Sequence, residues 1–66
     1  MELTVNGSSR AVPDGTTLVA LLGTLNLRPG SVVVEHNGTA LLRSELDGVA
    51  LADGDVLELV VAVAGG

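Results

Sequence analysis

Polar and apolar positions alternate from the start of the chain. In Glu2–Val5 the apolar Leu3 and Val5 fall on one face, the period of a strand with one side in a core. Asn6-Gly7-Ser8-Ser9 supplies a turn, and Asn-Gly is the favoured pair where two successive residues need positive φ. Arg10-Ala11-Val12 reads as the return strand of a β-hairpin. Pro13-Asp14-Gly15 closes it, since proline has no N–H to give to a sheet. The period then changes. Leu18, Leu21, Leu22 and Leu25 stand at i, i+3, i+4 and i+7, one apolar stripe of a helix. Thr16 and Thr17 are suited to cap its first turn. Gly23 weakens it, by about 1 kcal/mol relative to alanine. The helix is expected to fray by Asn26, with Leu27 tucked beneath its end and Arg28-Pro29-Gly30 terminating the segment.

Residues 31–36 hold the β-branched run Val32-Val33-Val34, a strand signal. Alternation puts Val32, Val34 and His36 on one face and Val33 and Glu35 on the other. Asn37-Gly38 is a second hairpin turn, and residues 39–42 pair back. Residues 43–48 read as an irregular crossover with about one helical turn. Val49 and Leu51 pin it down, and Ala52-Asp53-Gly54-Asp55 turns into the final strand. Residues 55–66 form that strand, apolar enough for the middle of a sheet, and end in Gly65-Gly66. The predicted order is β-β-α-β-β-β: an α+β domain with a mixed sheet of four to five strands on one α-helix. The final strand is expected in the centre, parallel to the first. Residues 1–63 form the domain, and 64–66 a flexible tail.

Composition narrows the function. With 66 residues the chain is at most one domain, and folding at this size buries only about 60% of the unfolded surface. There are no cysteines, so neither a disulfide framework nor a thiolate metal site can form. There are no aromatic residues to stack on bases. The formal net charge is −5, from eight acids and three arginines without a lysine, which disfavours nucleic acid and anionic membranes as partners. A basic protein surface is the natural complement. No apolar run approaches the roughly 20 residues of a membrane span, and the acidic start does not resemble a secretion signal. The expected location is the cytoplasm.

One helix covers one face of a sheet. Leu57, Leu59 and Val61 are expected to point toward it, and Val56, Glu58, Val60 and Ala62 away. With Val33 these form an open apolar patch next to the tail, the expected partner-docking surface. Glu2, Glu35 and Glu58 would rim it with negative charge and steer a basic partner. His36, the only histidine, has no companions with which to build a metal site. Asp53 and Asp55 flank a glycine without the remaining ligands of a calcium loop, so they read as a turn.

The reactive candidate is the carboxylate of Gly66. A carboxylate is a poor acyl donor until it is activated, usually by attack on the α-phosphate of ATP. Glycine lacks Cβ, so Gly65 and Gly66, preceded by Ala64, can thread a narrow channel. The chain has no phosphate-binding loop and no lysine. It therefore binds no cofactor itself, and ATP and Mg²⁺ must sit on the activating partner.

The Val5-Asn6-Gly7 hairpin, Thr17-Leu18-x-x-Leu21-Leu22, Glu35-x-Asn37-Gly38, Arg43-Ser44-Glu45, Asp53-Gly54-Asp55 and Ala64-Gly65-Gly66 follow one another in an order that resembles the β-grasp, ubiquitin-like fold. More closely, the chain resembles the ThiS family of sulfur carriers in thiamine biosynthesis. The resemblance runs over the whole chain. It departs from the family's pattern at Leu42, where proline is frequent, and at Leu46, where an aromatic residue is frequent. It implies a carrier, not an enzyme. Gly66 would be adenylated by an E1-like enzyme of the ThiF/MoeB type. A persulfide of a cysteine desulfurase or rhodanese-type protein would then convert it to a thiocarboxylate. A thiazole synthase of the ThiG type would take the sulfur. The alternatives are a molybdopterin-type or other-pathway carrier, a conjugation tag, and a β-grasp interaction module with an inert tail.

Overall fold

The computed structural model describes residues 1–61; the predicted roles of Ala62, Ala64, Gly65 and Gly66, and the tail 64–66, lie outside the described residues. Five strands and one α-helix follow in the expected order: β1 (Glu2–Val5), β2 (Ser8–Ala11), α1 (Leu18–Thr24), β3 (Val32–His36), β4 (Thr39–Ala40) and β5 (Val56–Val61). The sheet order is β2-β1-β5-β3-β4. β5 is central, parallel to β1 and antiparallel to β3. The α+β architecture and the parallel return of the last strand are as the sequence pattern predicts.

Both Asn-Gly pairs form two-residue turns in the left-handed region, with φ of 50° and 82° at Asn6 and Gly7 and 51° and 85° at Asn37 and Gly38. This geometry matches the twist of the strands it joins. It also shortens the first turn: Ser8 and Ser9 belong to β2, opposite Val5 and Thr4, and not to a four-residue loop. The second return strand is shorter than the expected 39–42, yet Leu41 N–H still donates to the Val34 carbonyl at 2.9 Å.

Thr17 caps α1, its hydroxyl accepting from Ala20 N–H at 3.1 Å. The helix ends in a Schellman turn. Asn26 takes φ 59°, Leu27 N–H donates to the Leu22 carbonyl and Asn26 N–H to that of Gly23. That turn swings Leu27 back against the core, as expected. Ser31, expected at the start of a strand, instead closes the 3₁₀ turn Pro29–Ser31. The crossover contains a longer 3₁₀ helix, Arg43–Gly48, with Leu42 N–H donating to the Glu45 carboxylate at 2.7 Å.

The core is aliphatic: Leu3, Leu18, Leu21, Leu22, Val34, Leu46, Leu51, Leu57 and Leu59. Each helical leucine of the predicted stripe except half-buried Leu25 is fully covered. Val61 keeps the expected direction but is not covered. Its position along β5 points it to the helix side, but it remains half exposed. The seven-residue helix is about 10 Å long, whereas the six residues of β5 extend about 20 Å, so α1 cannot cover both ends of that strand.

Candidate functional site

Side chains alternate along β5, so Leu57 and Leu59 enter the core while Val56, Glu58 and Val60 emerge on the opposite face. β3 runs beside it in register, Val33 opposite Val60 and Glu35 opposite Glu58. The structure thus gathers Val33, Val56, Glu58 and Val60 on one uncovered face, as the sequence predicts. Ala62 would continue the series but lies outside the described residues.

Leu42 joins this face and was not anticipated there. β4 is antiparallel to β3, with Ala40 opposite Glu35, and the Leu41–Val34 hydrogen bond continues that register. Leu42, with extended φ −72° and ψ 152°, therefore stands beside Val33. Leu42, just beyond β4, forms an apolar row with Val33 and Val60, the three exposed by 68, 55 and 62%. The next row across the sheet is Ala40, Glu35 and Glu58, all exposed. The only sequence signal for Leu42 is a large apolar residue two positions after Ala40.

A polar cluster locks the start of β5. Asp55 is 8% exposed, and every oxygen of its carboxylate is used. Oδ2 lies 2.8 Å from His36 Nε2 and accepts from Ala52 N–H at 2.8 Å; Oδ1 accepts from Asn37 Nδ2 at 3.0 Å. An ionised carboxylate can only accept, so His36 Nε2 carries the hydrogen of that bond. Asn37 closes the cluster by accepting Val56 N–H at 2.8 Å on Oδ1. Burial alone would raise the Asp55 carboxyl. The hydrogen bonds from His36, Asn37 and Ala52, with the charge of His36, outweigh it and hold the carboxyl down to about 2. The sequence showed Asp55 only as a turn residue and His36 only as a lone histidine at the end of a strand. Their meeting depends on the β3–β5 register, which local pattern does not reveal.

Among the described residues no group of acids and histidines could hold a metal ion, and no helix is long and apolar enough to cross a membrane. What the described residues offer is an uncovered face of β3 and β5 that carries Val33, Val56, Glu58 and Val60.

A mixed five-stranded sheet wrapped on one helix, with its last strand central, is the ubiquitin-like β-grasp. A ubiquitin-like protein of Caldiarchaeum subterraneum shares it, with TM-score 0.54, 25% identity and coverage of 98% of this chain and all of that one. The ThiS family model matches residues 2–66, and the chain belongs to the ThiS family. The crystal structure of the thiamine biosynthesis protein ThiS of Geobacter metallireducens superposes with TM-score 0.82 at 35% identity over the full length of both chains. Its solution structure gives 0.80 at 35% identity, covering all of this chain and 88% of that one. A curated relative, the thiazole synthase of Paramagnetospirillum magneticum, is 39% identical over 66 residues. This chain spans a fifth of that protein's length.

Proposed function

We propose that this chain is a sulfur carrier for thiazole formation in thiamine biosynthesis, acting in the cytoplasm as a co-substrate without catalysis of its own. The carboxylate of Gly66 attacks the α-phosphate of ATP on an E1-like partner, and pyrophosphate leaves. The terminal sulfur of a protein persulfide attacks the resulting acyl-adenylate, and AMP leaves. A second thiol cleaves the acyl disulfide and frees the thiocarboxylate, which gives its sulfur to a thiazole synthase. The docking face Val33, Val56, Glu58, Val60 and Ala62 holds the chain against a partner while Ala64, Gly65 and Gly66 reach its nucleotide site.

The observation that carries this reading is a family match extending to Gly66, together with a central strand that leads toward that residue. The thiamine branch is supported by the ThiS structures and by the thiazole synthase relative, in which a stretch like this chain forms part of the same polypeptide. The test is the intact mass of the chain after incubation with ATP, an adenylating enzyme and a persulfide source. Exchange of one oxygen for sulfur, consumed when thiazole synthase is added, supports the proposal. An unchanged mass sinks it and leaves an interaction module; adducts on target proteins would instead mark a conjugation tag.

A further inference from the structure

On the open face, Glu35 and Glu58 stand directly opposite each other on adjacent strands. Like charges in that arrangement destabilise a sheet. Neither has an ion-pair partner among the described residues. The surroundings add to the problem. Along β5, Glu58 lies between Val56 and Val60; across the sheet, Ala40 and the row Leu42, Val33 and Val60 border the pair. Any partner that covers these apolar side chains also strips water from two adjacent carboxylates. A partner with only apolar groups to offer would leave them buried and unpaired, which is heavily penalised.

We propose that this pair selects the partner: the activating enzyme sets a guanidinium or ammonium group between Glu35 and Glu58 while an apolar strip of its surface covers Leu42, Val33 and Val60. This rests on the carrier reading above and names the chemistry of its docking partner. The cation removes the repulsion between the carboxylates, so it is rewarded twice, and surfaces lacking it are rejected. A second copy of this chain does not fit. It would bring the same carboxylates face to face in a protein whose formal net charge is already −5.

The experiment compares wild type with the Glu35→Gln/Glu58→Gln double variant, using the adenylating enzyme that activates the wild-type chain and following ATP–pyrophosphate exchange at low and high salt. The double variant is expected to raise KM for the carrier at least about tenfold with kcat unchanged at saturation. Salt should weaken wild type steeply and the variant little. Free in solution, the variant should melt at the same temperature as wild type or higher. An unchanged KM and salt dependence, or a lower melting temperature, overturns this inference and leaves the carrier reading intact. A wild-type chain that no E1-like enzyme adenylates removes both.

Discussion

Asn6 grips Leu59 by both ends of its amide. Leu59 N–H donates to Asn6 Oδ1 at 2.7 Å, and Asn6 Nδ2 donates to the Leu59 carbonyl at 3.1 Å. The paired residues of β1 and β5 end with Val5 opposite Leu57. Beyond that point the chain turns away at Gly7, and the Asn6 side chain stands in for the next residue of a strand. The central strand is thereby held for one more step beyond Leu57. Asn37 does the same at the other end and other edge of β5, where its N–H and side chain engage Val56.

Asn6→Gly isolates this grip, because glycine accepts the positive φ of the turn and removes only the amide. The half-buried Leu59 N–H and carbonyl lose their partner. The expected loss of stability is about 1–3 kcal/mol, read as a lower urea midpoint with unchanged slope. A midpoint equal to wild type would mean that water replaces the amide without cost.

Asp55 is expected to contribute to the acid sensitivity of the fold. Its carboxyl has an ordinary value of 3.8 and is lowered to about 2 in the folded chain. A group depressed on folding contributes stability that is complete above the unfolded value and is lost as pH falls through the folded one. Between pH 4 and 2, roughly, the chain should therefore lose about 2 kcal/mol through this group. Asp55→Asn should be less stable at pH 7 and show a flatter decline across that window. Thermal melts at closely spaced pH values measure it. Equal slopes for the two proteins would remove Asp55 from the account.

The elements that local chemistry dictates were legible in the sequence. The 3.6-residue spacing of Leu18, Leu21 and Leu22 gave α1, and Asn-Gly gave both hairpins. The apolar character of residues 56–61 gave a central β5. What escaped was set by register across the sheet. Nothing near Asp55 in the chain announces His36, nineteen positions earlier, as its partner. Leu42 was expected in the return strand but not on the open face, because its place beside Val33 follows from the register of β3 and β4. The exposure of Val61 escaped because alternation tells which way a side chain points but not how far a short helix reaches. The open face itself was legible, since one helix can cover only one side.

Leu42 and Leu46 lie four positions apart and should respond in opposite ways. Leu46 is 1% exposed within the core, so Leu46→Ala is expected to cost about 2–5 kcal/mol. Leu42→Ser removes an exposed apolar side chain and should shift stability by no more than about 0.5 kcal/mol. Its effect should appear instead as weaker binding of the activating enzyme. Denaturation midpoints and KM for the carrier, measured on both variants, give the contrast. A destabilised Leu42→Ser with unaltered KM would return that residue to a structural role.

Gly65 and Gly66 provide the sharpest test of the carrier chemistry. Deleting Gly66 draws the terminal carboxylate back by about 3.5 Å, one residue of extended chain. In-line attack on a phosphate tolerates far less: a misplacement of about 1 Å can cost a hundredfold in rate. The deletion should therefore abolish both pyrophosphate exchange and the sulfur-for-oxygen mass change while leaving the denaturation midpoint where it was. Gly65→Val keeps the length but puts a branched side chain in the threading position, and kcat/KM for adenylation should fall at least about a hundredfold. Activation of either variant at the wild-type rate would show that the reacting carboxylate is not held at this end of the chain. Unfolding caused by the deletion would show that Gly66 belongs to the fold rather than to the chemistry.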